Sequence, residues 1–148
     1  MNVLDHLTEE HRKVEAMLAE LATSEPGAER EATVTELEEA LQTHMTLEER
    51  YVYPLVKENV GVEQFVGATN EHESTRKGLR EVRDLVDQPG FGGAVEALAA
   101  GIQHHVHEEE GEIFPKLRQD AASAIKRLGD PEKLEASVEE GTASNAGA

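Results

Sequence analysis

The chain contains neither cysteine nor tryptophan among its 148 residues. Without cysteine there is no disulfide, no thiolate nucleophile and no sulfur-ligated metal. Aromatic residues make up only 3% of the sequence. The interior must therefore be filled by Leu, Val, Ala and Ile, which favours helices packed through aliphatic side chains. Basic residues are scarce too: 14 Lys and Arg stand against 31 Asp and Glu, a formal charge of -17. Such a surface repels nucleic acid and anionic membranes, so neither is expected as a partner. No apolar run approaches the roughly 20 residues of a spanning helix. The opening "MNVLDHLTEEHRK" lacks the basic start and apolar core of a signal peptide. A soluble cytoplasmic protein of one domain is the expectation.

Helix breakers are few and clustered, at "SEPGA" (24–28), "NVGV" (59–62) and "QPGFGG" (88–93). Between them nothing reads as a strand, and helices are expected over 2–22, 29–58, 62–87 and 92–118. Leu4, Leu7, His11, Val14, Leu18 and Leu21 follow the three-and-four spacing of a bundle seam. Val34, Leu37, Leu41, His44, Glu48, Tyr51 and Leu55 keep the same rhythm, as do Val95, Leu98, Ile102, His105, Glu109 and Glu112. The third segment is looser, with Phe65, Thr69, His72, Arg76, Leu79 and Val86. Short connections between long helices predict an all-α, up-down-up-down antiparallel four-helix bundle over 1–120. A short docked helix is expected within 121–138 and a disordered tail over 139–148.

Sliding the sequence against itself by 61 residues exposes an internal repeat of two helical hairpins. Glu10 and His11 fall on Glu71 and His72, and Val34 and Leu37 on Val95 and Leu98. His44, Glu48, Glu49, Tyr53 and Pro54 fall on His105, Glu109, Glu110, Phe114 and Pro115. A pseudo-twofold axis would carry the polar seam residues to one central point. A single interior His or Glu is ordinarily just hydrogen-bonded to a neighbour. Four His and two Glu in the seams of four helices are different, because burying them costs several kcal/mol unless something pairs with all of them. A metal pair can. Residues four apart share a helix face, so His44 with Glu48 and His105 with Glu109 each offer an imidazole and a carboxylate to one site. That donor set suits iron, manganese or zinc.

A His in helix one, H-x3-E ahead of aromatic-Pro in helix two, a His in helix three and H-x3-E ahead of Phe-Pro in helix four together resemble the hemerythrin-like family, the HHE cation-binding domains. The resemblance covers residues 1 to 120. It implies His11, His44, Glu48, His72, His105 and Glu109 as ligands of a non-haem di-iron centre with an oxo or hydroxo bridge, zinc and manganese ranking behind iron. The ferritin-like alternative needs Glu-x-x-His on two helices, and no Glu stands three residues before any of the 7 His. Helix three departs from the oxygen carriers: where they resemble H-x3-H, this chain has His72 followed by Arg76. Four His and two bridging Glu fill about eight of about twelve positions on two six-coordinate irons. The open remainder favours peroxide or redox chemistry over reversible oxygen carriage.

Three further residues are candidates at the edge of the site. Tyr51 lies on the His44 face of an ideal helix, whereas Tyr53 would point away unless Pro54 bends the turn. Tyr53 is then either an extra ligand or an aromatic plug. Arg76 is a candidate to neutralise a bridging carboxylate, or forms an ordinary salt bridge. The off-seam His6, His104 and His107 read as surface residues. The expected ligands are O2, peroxide and NO, with peroxide breakdown or protection from oxidative and nitrosative stress as the activity. The alternatives are a non-enzymatic oxygen or iron sensor and a bundle that uses zinc only for stability.

Overall fold

The computed structural model describes residues 1–146, with side chains as far as Gly141. Every regular element among these residues is helical: α1 (Val3–Ala22), α2 (Ala28–Leu47), the π-helical turn π1 (Glu48–Val52), α3 (Tyr53–Asn59), α4 (Val62–Asp84), α5 (Phe91–Glu108), the turn π2 (Glu109–Ile113), α6 (Phe114–Asp120), α7 (Ala122–Leu128) and α8 (Pro131–Ala146). The rods α2–π1–α3 and α5–π2–α6 are each interrupted only by their π turn. With α1 and α4 they form the four-helix bundle, α1 packing on α2 and α5, and α4 on α5 and α3. No helix is long and apolar enough to cross a membrane.

Local chemistry sets the ends. The Asn2 side chain accepts from the Leu4 and Asp5 amides at 2.9 and 3.1 Å, and Asp5 returns the contact to the Asn2 amide at 3.1 Å, a capping box that starts α1. At the far end of the bundle the buried Arg30 gathers the connections. Its guanidinium donates to Ser24 Oγ at 2.9 Å and to the Val86 carbonyl at 3.0 Å, and lies 4.0 Å above the Phe91 ring.

The interior is two apolar clusters with a polar layer between them. One contains Val14, Leu18, Leu37, Leu79, Val95 and Leu98. The other contains Leu4, Leu7, Tyr53, Val56, Phe114 and Leu117, closed by Ile125 of α7 and Val138 of α8. Residues 61 apart occupy matching core positions, such as Leu18 with Leu79 and Val56 with Leu117. Between the clusters lie His11, His44, Glu48, His72, His105 and Glu109, all buried.

The C-terminal segment differs from the expected single helix and tail. Gly129, at φ +79°, takes a backbone conformation that other residues resist, and splits the segment into α7 and α8. From Pro131, well placed in a first helical turn, α8 then runs to Ala146 through most of the stretch read as a tail. Gly141 weakens it, but glycine inside a helix costs about 1 kcal/mol, too little to end one anchored by the buried Val138. Residues 147–148 lie outside the described residues.

His6 is partly buried here rather than free on the surface. Its Nε2 lies 3.3 Å from Glu10 and 3.3 Å from Glu135 of α8. A hydrogen bond shared with Glu10, together with burial, pushes Glu135 up to about 7 from an ordinary 4.5. A carboxyl whose folded value is raised contributes its stability fully below about 4.5 and loses it as pH rises through about 7. Amide exchange in α8, corrected for intrinsic rates, is therefore expected to speed up between pH 5 and 8. Glu135→Gln should flatten that dependence, and equal acceleration in both proteins would refute it.

Candidate metal centre

Proline places the glutamates and the tyrosine. Pro54 has no N–H, and its ring would collide with the Arg50 carbonyl in a continuous α-helix. The chain answers with one wider turn, in which the Tyr53 amide bonds to the Glu48 carbonyl. Pro115 has the same consequence: the Phe114 amide bonds to the Glu109 carbonyl. The extra residue re-phases each rod. Tyr53 swings into the core, where it is 1% exposed. Tyr51, which an ideal helix would align with His44, is turned outward, its hydroxyl 3.5 Å from Ser137 Oγ on α8. It does not join the site.

The six buried residues form two overlapping groups: His11, His44, Glu48 and Glu109, and Glu48, His72, His105 and Glu109, with donor atoms in each within 4.8 Å of one another. Both glutamates belong to both groups. Every imidazole turns Nε2 inward. The Nε2 atoms of His11 and His105 lie 3.2 Å from Glu109, and those of His44 and His72 lie 3.2 and 3.0 Å from Glu48. The rings pair as the repeat requires, His11 with His44 at 4.8 Å and His72 with His105 at 5.0 Å.

Each outward Nδ1 meets a second carboxylate: His11 to Glu110 at 2.6 Å, His44 to Glu10 at 3.0 Å, His72 to Glu49 at 2.6 Å and His105 to Glu71 at 2.7 Å. Such contacts fix the tautomer and aim Nε2 at the centre. These four glutamates were not singled out from the sequence as part of the site. The signal was present, because Glu10 matches Glu71 and Glu49 matches Glu110 in the repeat. Arg76 reaches this outer ring rather than a bridging carboxylate, with one guanidinium nitrogen 2.9 Å from both Glu49 oxygens. Arg12 contacts Glu110 on the other side.

The layer is strongly polarised. Burial alone would depress His44, but Glu48 and Glu10 outweigh it and push it up to about 10. Burial alone would raise Glu48, yet the surrounding imidazoles hold it well below the ordinary range. Burial and the charges of Glu48 and Glu109 drive the Tyr53 phenol upward. It stays protonated and donates to Glu109 Oε2 at 2.9 Å. Polar atoms nevertheless remain unmet: His11 Nε2, His44 Nε2, Glu48 Oε2 and Glu109 Oε1 are buried with no hydrogen-bond partner among the described residues. Their close contacts are misaligned for hydrogen bonds, and leaving such atoms unpaired costs about 1–3 kcal/mol each. A cation accepts them all, so the residues fit iron, manganese or zinc.

On one side of the layer sits a cavity of about 20 Å³, walled by Val14, Leu41, Met45, Ile102, Val106 and Thr75 with the four histidines. A much larger groove, about 970 Å³, runs outside between α1 and α5 and contains none of the six residues. Size does not identify the site here; donor chemistry does. The two spaces share Ile102 and Val106 as a common wall.

A four-helix bundle with a buried layer of histidine and glutamate donors, closed at one end by aromatic-proline turns, defines a metal-binding helical protein. The chain belongs to the hemerythrin HHE cation-binding domain family, whose family model matches residues 2–117. The crystal structure of a hemerythrin HHE cation-binding domain-containing protein from Mycobacterium kansasii has the same fold, with a TM-score of 0.78 at 21% identity, covering 95% of this chain and 86% of that one. A protein of Nostoc sp. named as a DNA nickase is 25% identical over 124 residues, 83% of this chain but 35% of its own length. The chain thus spans about a third of that relative.

Proposed function

We propose that the chain is a non-haem di-iron protein that takes small oxygen-derived ligands, O2, peroxide or NO, and that breaks down peroxide or protects against oxidative and nitrosative stress. The observation that carries this reading is the sharing of two buried carboxylates, each with an unpartnered oxygen, between two donor groups, one of which also holds the unpartnered imidazole nitrogens of His11 and His44. Glu48 and Glu109 would bridge two ions, with His11 and His44 completing one and His72 and His105 the other. Bound iron supplies the redox change and open coordination positions.

The chain's own residues supply the rest. The outer glutamates hold each Nδ1 and aim each Nε2 inward. Tyr53, expected as either an extra ligand or an aromatic plug, donates its proton to Glu109 Oε2 and stands 2.9 Å from His72 Nε2. The cavity of about 20 Å³ beside the four histidines has room for a diatomic-sized molecule, and Ile102 and Val106 line both it and the outer groove.

The test is metal analysis with an absorption spectrum, followed by oxygen evolution from peroxide. Two irons per chain and oxygen evolution that disappears in His105→Ala and in metal-free protein are expected. Unchanged evolution in His105→Ala would sink the enzymatic reading, and zinc alone after expression in iron-replete medium would undermine iron altogether. The sensor reading draws on one specific observation, that Glu10 touches both His44 and the α8 cluster with Glu135. It requires proteolysis of residues 120–148 to change on metal loading, and identical cleavage would count against it.

A further inference from the structure

The two halves of the donor layer match in size and pairing, yet not in chemistry. In the His72/His105 half, the Tyr53 hydroxyl lies 2.9 Å from His72 Nε2, 3.3 Å from His105 Nε2 and 2.9 Å from Glu109 Oε2. Both inner nitrogens of that half have an oxygen beside them. In the His11/His44 half the equivalent aromatic is Phe114, whose ring stacks on His11 at 6.1 Å and carries no hydroxyl. The two unpartnered imidazole nitrogens are those of His11 and His44. Glu109 repeats the division. Its Oε1, 3.2 Å from His11, is unpartnered, whereas its Oε2 accepts from Tyr53.

We propose that the two metal positions fill in order, His11/His44 first and His72/His105 second, and that Tyr53 sets this order. An ion entering the first half breaks no protein hydrogen bond and meets atoms that lack a partner. An ion entering the second half must displace the Tyr53 contacts to His72 and Glu109, a net loss that the first half does not carry. The shared carboxylates add to the difference, because Glu48 and Glu109 offer less negative charge to the second ion once the first is bound. Shape does not explain the inequality, since the paired rings sit at 4.8 and 5.0 Å. Two contacts distinguish the halves, the Tyr53 hydroxyl and the hydrogen bond between His72 Nε2 and Glu48 Oε1 at 3.0 Å, and only the first involves a side chain that the other half lacks.

The inference rests on the dinuclear reading, and the experiment separates the two. The full chain is stripped with chelator and titrated with zinc(II), and the histidine ring nitrogens are followed by NMR. The first equivalent is expected to move the His11 and His44 resonances and the second those of His72 and His105, with dissociation constants separated by ~10-fold or more. In Tyr53→Phe the order should be lost, so that the His11/His44 and His72/His105 resonances move together, and the separation should shrink to what the shared carboxylates alone impose. In the double variant Tyr53→Phe with Phe114→Tyr, which moves the phenol to the other half, the order should reverse. In the unaltered chain, movement of His72 and His105 first or joint movement of all four overturns the inference, as does an unchanged separation in Tyr53→Phe, while two bound ions leave the dinuclear reading standing. Uptake of a single zinc overturns both.

Discussion

A Glu48→Ala chain is expected to retain essentially no metal, whereas His11→Ala keeps one ion of the two. Glu48 contributes to both donor groups, and His11 to only one. A defect in the shared carboxylate therefore reaches both positions. The same substitution should weaken the metal-free fold by about 3–5 kcal/mol, because it strips the counter-charge from buried imidazoles. Glu48 is fully buried and within 3.2 Å of His44 and 3.0 Å of His72. His44, no longer held up at about 10 by Glu48, must then give up its proton on folding or stay charged in an apolar core. Elemental analysis of each purified variant, with urea denaturation of the chelated chains, checks both parts. Two ions per chain in Glu48→Ala would remove the bridging role assigned to this residue.

Much of this centre was legible because the repeat and the seam are independent patterns that select the same residues. His44 and Glu48 could have been a solvated pair on an acidic helix. Their match to His105 and Glu109 at the offset of 61, and the apolar rhythm around all four, made that reading untenable. The bundle followed from the same rhythm and from three short breaker clusters. What stayed hidden depends on backbone phase. Periodicity assumes one turn width along a whole helix, so it aligned Tyr51 with His44 and turned Tyr53 away. The π turns at Glu48–Val52 and Glu109–Ile113 exchange those two roles. Pro54 and Pro115 announced a disturbance, but the direction in which the chain relieves a proline clash is decided by tertiary packing. The outer glutamates stayed hidden for another reason. In a chain with 31 acidic residues, Glu10, Glu49, Glu71 and Glu110 are indistinguishable by type from a solvated surface until the imidazoles they touch have been placed. In the C-terminal stretch, α8 extends from Pro131 to Ala146 past the buried Val138, into residues whose small polar composition gives no helical rhythm to read.

Removing metal from the loaded protein is expected to lower its thermal midpoint by about 10 °C or more. The donor layer lies between two apolar clusters, so metal-free protein must fold around unpaired buried donors that no rearrangement can expose without opening the bundle. Each ion present at a hundredfold its dissociation constant stabilises the folded chain by about 2.7 kcal/mol. Two ions give about 5 kcal/mol, and each kcal/mol is worth about 2–4 °C in a chain of this length. The gain should grow from pH 6 to 8, because binding requires protons to leave imidazoles whose values the neighbouring carboxylates hold high. Calorimetry of loaded and chelated protein at both pH values provides the measurement, with Glu48→Ala as the control that should show no response to chelator. A midpoint indifferent to metal in the unaltered chain would mean that the imidazoles and carboxylates satisfy one another. The unpartnered atoms would then lose their significance, and with it the strongest structural reason for placing a metal between the two clusters.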